Sequence, residues 1–560
     1  MGAFRCHPFT RTTLINVNSI VAVAAAVALP IFLSLLQFLP LPSSTVSKLY
    51  ATAVDAPLFR TYHAVPVLGL GFIPTRGQAL FITYIWIVNI VGCAVGYELV
   101  MPSAWFSTRE LQLVAFISNR TGVLALANLV VVVLFSSRNN LLLYLTTWKH
   151  STYLLVHRWI AFICTLQACI HSALYVQFYL WEGGAAAHAA QSKELYWIWG
   201  IIATLSLTLL LPISLLPIRK RFYELFLASH IALSILAIAG SLLHIYYRFG
   251  WQWGYEVWIW IVVGVWGLDR ALARPLRLAR NGIRKAHIRS VGESGEYIRI
   301  DIPGVEVTGH AYLYFPGLTW KVWENHPFSV GAVATLSDGE NITETKAGSD
   351  SDSDAVSSSI PSSSSSSTRG SVFYVRVMSG QTIDLAKHVG RSLTVLVEGS
   401  YGHSSILSKH QLGEQTLDYP NLILVAGGVG VTAVLPLIDK ARRVMPLGRT
   451  KVLWGVRSEG RGLVKDVERL LGVQAKPHIE TEKEEGSTKT ARWGDADVLI
   501  SIGDRLDIPA LLQKEIGLVR GGTTVVVCGP AAMADEVRSS VGRLVHGGAD
   551  VRFVEESFVW

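Results

Sequence analysis

The chain has 560 residues, of which 51% are hydrophobic and 16% are charged, and its mean hydropathy is +0.38. These values exclude a large soluble enzyme and indicate a membrane protein. The formal net charge of +8 comes mostly from basic residues beside apolar segments, without the basic–aromatic pattern of a nucleic-acid-binding protein.

Apolar stretches of about 20 residues, long enough to cross a bilayer, occupy the N-terminal half. Seven are predicted, at residues 18–39, 79–100, 114–135, 154–180, 195–216, 224–246 and 253–268. The first could instead be an uncleaved signal anchor, although it lacks a small-residue cleavage site.

Two basic clusters orient these spans through the positive-inside rule. Arg219-Lys220-Arg221 separates the fifth span from the sixth, and the second cluster follows the seventh span with Arg270, Arg274, Arg277 and Arg280. If both clusters are cytosolic, the N-terminus lies outside and the C-terminal half lies in the cytosol.

Two histidine pairs lie in the fourth and sixth spans: His157 with His171, and His230 with His244. Each pair is spaced fourteen residues apart, which on an α-helix advances about 21 Å and returns to within about 40° of the same face. Because both spans run in the same direction, His157 and His230 share the cytosolic level, and His171 and His244 share the outer level. A lone intramembrane histidine is more often a hydrogen-bonded packing residue, but two matched pairs favour axial ligation of two haems.

Arg158 directly follows the inner histidine of the fourth span. It lies at the cytosolic boundary, where an arginine either pairs with a haem propionate or extends to the lipid headgroups. Both interpretations stay open at this stage.

The sequence takes on a soluble character from about residue 284. Six short alternating runs between residues 285 and 398 predict a small antiparallel barrel. A segment rich in serine and aspartate interrupts it at residues 337–370, and this composition predicts a disordered insertion.

Strand–helix alternation follows residue 419, with buried parallel strands predicted at 422–426, 451–456, 497–500 and 524–528. This pattern predicts a doubly wound, nucleotide-binding α/β domain. The glycine loop, Gly427-Gly428-Val429-Gly430-Val431-Thr432, follows the first strand and opens a helix, where backbone amides can hold a pyrophosphate. Cys528-Gly529-Pro530, at the end of a later strand, would line the same crevice.

Taken together, these motifs resemble the fungal ferric reductases, which are flavocytochromes b related to NADPH oxidases and to ferredoxin–NADP reductase. The resemblance covers about residues 115–560. It rests on Asn119-Arg120-Thr121-Gly122, Ser137-Arg138-Asn139-Asn140, the two histidine pairs, His326-Pro327-Phe328-Ser329, Glu398-Gly399-Ser400-Tyr401-Gly402, the glycine loop, Cys528-Gly529-Pro530 and the ending Glu555-Glu556-Ser557-Phe558-Val559-Trp560.

The resemblance implies three domains: a polytopic α-helical haem domain of about seven spans at residues 1–275, an antiparallel β-barrel FAD domain at 280–405, and a Rossmann-like NAD(P)H-binding α/β domain at 418–560. The implied cofactors are FAD, two haem b and NADPH. The four histidines would be the haem ligands, with His157 and His230 on the inner iron and His171 and His244 on the outer iron.

The resemblance also implies contacts to the other two cofactors. FAD would contact His326, Pro327, Phe328, Ser329, Gly380, Thr382, Phe558 and Trp560. NADPH would contact Gly399, Gly427, Gly428, Gly430, Thr432, Arg457, Cys528, Gly529 and Pro530. Arg457 is expected to pair with the 2′-phosphate, the alternative being a solvated surface arginine.

The implied activity is ferric-chelate reduction across a membrane, from cytosolic NADPH through FAD and both haems to ferric siderophores or chelates, or to cupric ion, in support of metal uptake. Bis-histidine ligation fills both axial positions and disfavours oxygen binding. Two alternatives remain: a superoxide-generating NADPH oxidase, and a membrane scaffold or transporter with a regulatory soluble half. The plasma membrane is expected, with the vacuolar membrane as the alternative.

Overall fold

The computed structural model describes residues 8–59, 62–69, 71–321, 323–337, 367–402, 419–444, 448–473, 481–483 and 486–556. These residues form two compact units, of which the first runs to Pro275 and the second starts at Leu276. The predicted insertion at 337–370 lies almost wholly outside the described residues, as do Phe558 and Trp560.

The first unit is helical, and six of its described helices are long and apolar enough to cross a membrane. They are α1 (Pro8–Leu35), α3 (Arg76–Ala94), α4 (Arg109–Ser136), α6 (His150–Gln191), α7 (Leu195–Ile213) and α9 (Tyr223–Phe249). The shorter helices α2 (Ser43–Leu49), α5 (Leu142–Leu145) and α8 (Leu216–Arg221) lie between them.

The described residues thus hold one fewer such helix than the seven that hydropathy predicts. The stretch at 253–268 forms α10 (Glu256–Gly267), which continues through a π-helical turn at Leu268–Ala273 into α11 (Arg274–Asn281). The 12 residues of α10 rise about 18 Å, which is less than the hydrocarbon core of about 30 Å. Helical structure starts only at Glu256, so the apolar part of this continuous helix, Glu256–Gly267, is shorter than the predicted span at 253–268.

Local sequence explains where two spans begin and where a third bends. Thr75 and Gln78 form a reciprocal capping box at the start of α3, and the Thr108 side chain accepts a hydrogen bond from the Leu111 amide at the start of α4. Within α6, Gly183 and Gly184 have non-helical dihedral angles. The glycine pair kinks the helix just after the predicted span at 154–180.

Helix α4 is the most enclosed span: 67% of its apolar window is buried, whereas no other span exceeds 33%. It packs along α6, and α7 packs along α9. Three buried amides join α3, α4 and α6: Asn128 Nδ2 donates to Asn89 Oδ1 at 2.6 Å and to Gln167 Oε1 at 2.8 Å. Amide pairs of this kind hold apolar helices in one register, because an unpaired amide in hydrocarbon is costly.

The second unit begins with a closed antiparallel barrel, as the alternating runs predict. Its strands are β1 (Ile283–Val291), β2 (Tyr297–Pro303), β3 (His310–Tyr314), β4 (Asn325–Ser337), β5 (Ser367–Arg376) and β6 (Ser392–Tyr401), in the order β1-β2-β5-β4-β3-β6. Alternate residues such as Ile298, Ile300 and Ile302 fill the interior. One short helix, α12 (Gln381–Ala386), precedes β6.

The remainder of the second unit is a seven-stranded sheet with the order β13-β12-β7-β8-β11-β10-β9. The strands are β7 (Asn421–Gly427), β8 (Thr450–Val456), β9 (Thr481–Lys483), β10 (Gly486–Trp493), β11 (Ala496–Ile502), β12 (Thr523–Cys528) and β13 (Val551–Glu555). The helices are α13 (Val431–Val444), α14 (Arg461–Leu470), α15 (Ile508–Gly517) and α16 (Ala531–His546).

The four predicted parallel strands correspond to β7, β8, β11 and β12. Strand β13 extends the parallel part, and β10 and β9 add an antiparallel edge. The charged composition of β9 and β10 is unlike that of a buried parallel strand, so hydropathy did not predict them. The strand order reverses between β7 and β12, because the chain proceeds from β7 to β8 and β11 on one side and returns to β12 on the other. Ligands of open α/β sheets bind at such a reversal, outside the carboxyl ends of the strands.

Candidate functional site

The structure brings His171 and His244 together from α6 and α9. Their ring centroids are 6.0 Å apart and the ring planes are nearly perpendicular, at 86°. This spacing admits one metal ion bonded to a nitrogen of each ring at about 2 Å. The spacing alone would also suit a direct ring contact, so the hydrogen bonds of each ring decide the interpretation.

Each ring of this pair has its Nδ1 atom next to a backbone carbonyl. Nδ1 of His171 is 2.8 Å from the Ser118 oxygen, and Nδ1 of His244 is 2.8 Å from the Tyr196 oxygen. A carbonyl only accepts hydrogen bonds, so Nδ1 carries the proton and Nε2 is left with a lone pair. That is the tautomer in which an imidazole ligates a metal, oriented by its second nitrogen.

Glycines on two neighbouring helices make this approach possible. A Cβ at position 122 of α4 would lie 2.6 Å from Nδ1 of His171, and a Cβ at position 200 of α7 would lie 2.8 Å from Nδ1 of His244. Gly122 belongs to a sequence motif for which no role was predicted, and Gly200 was missed because nothing in the linear sequence relates it to His244.

The inner histidines His157 and His230 lie within electrostatic range of each other. Nδ1 of His157 is 2.8 Å from the Val132 carbonyl oxygen, and Nδ1 of His230 is 3.3 Å from the Ser214 hydroxyl. Each inner ring therefore has an Nδ1 contact like those of the outer pair, with a hydroxyl in place of one carbonyl. In all four rings, Nδ1 thus lies next to a hydrogen-bonding group that can fix the orientation of the imidazole.

Two arginines accompany the inner pair. Arg158 and Arg219 are half-buried and repel each other, and Arg219 also acts on His230. Neither arginine forms an ion pair with any residue in the described part of the chain, and Nε of Arg219 is buried without a hydrogen-bond partner. Two uncompensated cations beside the histidines fit the carboxylate edge of a haem, which would supply the missing negative charge.

The predicted flavin motif occupies the start of β4. His326, Pro327, Phe328 and Ser329 are all half-buried, and Phe328 packs against the barrel interior while part of it stays accessible. Nε2 of His326 is 3.3 Å from Oε1 of Glu324. The sequence motif thus forms one continuous, partly exposed strip of strand β4.

Strand β4 also touches the helix that follows the glycine loop. A Cβ at Gly331 would lie 3.5 Å from Cγ2 of Thr432, and Thr432 donates a hydrogen bond to the Val429 carbonyl at 2.9 Å. The predicted flavin strand and the predicted dinucleotide helix are therefore direct neighbours, as hydride transfer between two bound cofactors requires.

The glycine loop and Cys528-Gly529-Pro530 meet at the strand reversal. A Cβ at Gly427 would lie 2.5 Å from Pro530, and a Cβ at Gly430 would lie 2.3 Å from the Cys528 oxygen. Only glycine allows the carboxyl ends of β7 and β12 to approach this closely. Nε1 of the buried Trp454 donates to the Gly428 carbonyl at 2.9 Å and holds the loop from the β8 side.

Arg457 follows the carboxyl end of β8 and is exposed. It forms no ion pair with the described residues, and it interacts electrostatically with the hydroxyl of Tyr297. A Cβ at Gly428 would lie 3.5 Å from that hydroxyl. Arg457 also lies two residues after Gly455, which pairs with Gly427 of the loop. Burial and Glu296 raise the pKa of Tyr297 while Arg376 and Arg457 oppose the shift, and the phenol stays neutral beside the loop.

Three predicted site residues lie apart from these clusters. Gly399 is on barrel strand β6, where its neighbours are Ala311 and Val307 rather than residues of the sheet. Gly380 has φ +58° and precedes α12, and the Thr382 hydroxyl bonds to the Met378 amide and the Ser379 carbonyl. Their cofactor roles stay predictions, as do those of Phe558 and Trp560.

Comparison with known proteins bears on the membrane half first. The model of the family described as "Ferric reductase like transmembrane component" matches residues 121–241, a range that contains His157, His171 and His230 and ends three residues before His244. Ferric reductase transmembrane component 3 of Saccharomyces cerevisiae is 26% identical over 538 residues, which cover 85% of this chain and 65% of that protein. Ferric/cupric reductase transmembrane component 1 of Candida albicans is 24% identical over 570 residues, which cover 93% of this chain and 68% of that protein.

The chain thus spans about two thirds of the length of these relatives. Among solved structures, a flavohemoglobin from Malassezia yamatoensis with bound FAD and haem matches with a TM-score of 0.32 and 14% identity, over 81% of this chain and 99% of that one. The resemblance predicted from the motifs is confirmed by the sequence comparisons. The apolar helices and these relatives together identify a multi-pass membrane protein.

Proposed function

We propose that this chain, a relative of the fungal ferric reductases over most of its length, is a transmembrane reductase that moves electrons from NADPH to chelated ferric iron, with cupric ion as a second acceptor. The observation that carries the proposal is the His171–His244 pair. Two imidazoles 6.0 Å apart, each with Nδ1 at a backbone carbonyl, are prepared for a metal between them.

The residues of the membrane half would hold two haem b groups. His157 and His230 are the proposed inner ligands, and His171 and His244 the proposed outer ligands. The carbonyls of Val132, Ser118 and Tyr196 keep three of these imidazoles in the ligating tautomer. Arg158 and Arg219 would neutralise the carboxylates of the inner group. When bound, the haems would supply single-electron transfer.

The residues of the second unit would hold FAD and NADPH. Phe328 and Ser329 are proposed to lie against the flavin ring, with His326 toward its polar part. Gly427, Gly428, Gly430 and Gly529 would let the dinucleotide pyrophosphate approach the backbone at the start of α13. Arg457 is proposed for the 2′-phosphate of NADPH, since its exposed guanidinium near the loop has no carboxylate partner in the described residues.

The proposed domain limits remain 1–275, 280–405 and 418–560. We further propose that the protein resides in the plasma membrane with its second unit in the cytosol, so that the nicotinamide cofactor and the metal acceptor are on opposite sides. The basic clusters that flank α9 and follow α10 support this orientation.

Membranes containing the full chain test the proposal. With NADPH, a ferric chelate and a colour indicator for ferrous iron, we expect ferrous iron to form, together with a haem spectrum in the reduced state. His171→Ala should abolish ferrous iron formation and reduce the haem content. His188→Ala is the matched control, because this histidine lies on the same helix and packs on Trp197 away from the pair.

Absence of haem absorbance in the wild type would refute the proposal and favour a scaffold or transporter. A wild type that carries haem and reduces oxygen to superoxide, but leaves ferric chelates unreduced, would indicate the oxidase instead. The similarity to ferric and ferric/cupric reductase transmembrane components favours the reductase.

A further inference from the structure

An exposed arginine lies next to the outer histidine pair. Arg248 follows His244 by one helical turn on α9, so both side chains are on the same face. Its guanidinium carbon is 4.9 Å from the ring centre of Tyr196, and that ring centre is 5.9 Å from the centre of the His244 ring. A single aromatic ring therefore separates the guanidinium from the outer pair.

Arg248 forms no ion pair with a carboxylate in the described part of the chain. Its position is nevertheless restrained, because the guanidinium lies between the rings of Tyr196 and Phe249, the latter at 6.0 Å. A restrained cation loses less conformational entropy on binding an anion than a mobile surface side chain does.

A second arginine of the membrane half, Arg120, is used structurally. Arg120 of α4 donates to the carbonyls of Val95 and Gly96, at the C-terminal end of α3, and stacks 3.9 Å from the ring centre of Tyr97. It is 5% exposed and caps a helix. Arg248 is exposed and does not cap a helix in this way, so its charge remains available to a ligand.

Polar groups that accept or donate hydrogen bonds surround this position. The hydroxyls of Tyr179 and Tyr196 are 3.2 Å apart, and the Tyr175 hydroxyl donates to Oδ1 of Asn119 at 2.6 Å. Arg248 interacts electrostatically with Tyr175 and Tyr196. The surroundings of the guanidinium are thus aromatic and hydroxylated, and no carboxylate of the described residues forms an ion pair with it.

We propose that Arg248, seated on Tyr196, binds the free carboxylates of anionic ferric chelates and holds them at the outer histidine pair. A planar guanidinium with five donors matches a carboxylate in two parallel hydrogen bonds. The class of substrate is therefore a ferric polycarboxylate with net negative charge, such as ferric citrate, in preference to an uncharged hydroxamate chelate. This inference rests on the proposed reductase function.

The chemistry balances without a bond to Arg248. Oxidation of one NADPH releases two electrons and one proton on the side of the nicotinamide cofactor, and each electron reduces one chelated ferric ion to ferrous ion. Arg248 does not change its covalent state. It raises the occupancy of the chelate at the outer level, so its removal should act on KM rather than on kcat.

The kinetic test uses full-length protein in lipid nanodiscs. For Arg248→Gln we expect KM for ferric citrate to rise about tenfold with kcat within about twofold, as for the loss of a charge-assisted pair. KM for an uncharged ferric hydroxamate should not change, and Arg248→Lys should recover part of the effect. Lys193→Gln is the matched control, because this exposed cation in the loop between α6 and α7 should leave both KM values unchanged.

A binding test separates this inference from the proposed function. Gallium(III) citrate has the charge of the ferric chelate but accepts no electron under these conditions, so its binding can be measured on the oxidised protein. Wild-type protein should bind it and Arg248→Gln should bind it about tenfold more weakly. If gallium citrate binds through Arg248 but ferric citrate is not reduced, the reductase function fails while the anion site stands.

Three results would overturn the inference. One is an unchanged KM for ferric citrate in Arg248→Gln. Another is an equal rise of KM for the uncharged chelate, which would mean that the arginine maintains the shape of the outer site. The third is loss of haem absorbance in both Arg248→Gln and Arg248→Lys, which would assign the arginine to the haem rather than to the substrate.

Discussion

The hydroxyl of Tyr374 donates a 2.7 Å hydrogen bond to Oδ2 of Asp466, and this bond joins barrel strand β5 to helix α14, which packs beside the seven-stranded sheet. The same carboxylate oxygen is 3.2 Å from Arg299, whose Nε is 2.7 Å from the buried Asp301. The barrel and the seven-stranded sheet of the second unit are thus connected by a buried polar network. Such a network fixes their relative position more specifically than apolar packing does.

Replacement of Tyr374 by phenylalanine should change how the free energy of unfolding of the second unit depends on pH. Burial and the neighbouring Asp466 raise the pKa of Tyr374. A raised pKa in the folded state means that the contribution of the phenol is complete below its unfolded pKa of about 10 and is lost as the pH rises further. At pH 8 we expect Tyr374→Phe to be about 1–3 kcal/mol less stable than the wild type.

Between pH 9 and 11 this difference should shrink, because only the wild type loses stability through the phenol. Pulse proteolysis of the full-length protein in detergent measures the unfolding of the second unit at each pH. Parallel stability curves for wild type and variant would contradict the role given to Tyr374.

Alanine at Gly122 or Gly200 should displace one outer histidine. The new methyl group would lie 2.6 Å from His171 Nδ1 or 2.8 Å from His244 Nδ1. At these distances the imidazole ring must move, and its hydrogen bond to the backbone carbonyl is weakened or lost. We expect each variant to lose about half of the haem, as measured by the pyridine haemochrome assay and reduced-minus-oxidised spectra. Gly264→Ala is the control, because nothing lies within 4 Å of its Cβ position. Full haem content in both test variants would show that the outer rings are not held in this way.

Alanine at Gly430 should close the dinucleotide crevice. Its Cβ would lie 2.3 Å from the Cys528 carbonyl oxygen, so β7 and β12 would have to separate. We expect NADPH-dependent reduction to fall by at least tenfold while the haem spectrum of the membrane half stays unchanged. Gly542→Ala on α16, where the Cβ position is open, should retain activity. An active Gly430→Ala enzyme would locate the dinucleotide elsewhere.

The amide cluster of the membrane half can be tested with Asn128→Leu. Leucine is close in size but removes the two donors that reach Asn89 and Gln167. The Gln167 oxygen then loses its donor, and the Asn89 oxygen keeps only the Gln167 amide, at 3.1 Å. We expect a loss of about 1–2 kcal/mol, observed as a lower temperature of aggregation in detergent by size-exclusion chromatography. Leu205→Ala, at a 53% exposed position facing away from the bundle, should change that temperature less. An equal or smaller effect at Asn128 would indicate that the amides contribute little.

Arg457→Ala tests the choice between the two nicotinamide cofactors. Without the guanidinium, KM for NADPH should rise about tenfold or more while KM for NADH stays constant, because only NADPH carries the 2′-phosphate. Arg457→Lys should lie between the two, since it keeps the charge and loses the planar fork. Steady-state kinetics with both cofactors measure this, and an unchanged preference in Arg457→Ala would leave Arg457 as a solvated surface residue.

Much of the fold could be predicted because its signals are local. Apolar length indicated the spans, alternation indicated the barrel, and glycines between a strand and a helix indicated the nucleotide loop. The seventh span was overestimated and strands β9, β10 and β13 were missed. Hydropathy averages over a window and does not register where a short helix starts, and an edge strand carries the same polar residues as a loop.

The candidate site also has features that follow from local sequence and features that do not. Spacing within one helix is a property of the sequence, so the pairing of His157 with His171 and of His230 with His244 could be deduced from helical geometry. Contacts between helices are not: Gly200 beside His244, Arg219 beside His230 and Arg248 on Tyr196 are brought together only by packing.

By itself the sequence determined the membrane character, the three kinds of folded region and the four candidate haem ligands, because each depends on the periodicity of a single chain segment. Only the tertiary structure decided which carbonyl orients each imidazole, which glycines give it space and which arginines lie beside it without a carboxylate. Those relationships join residues from different helices, and no regularity along the chain encodes how helices pack against each other.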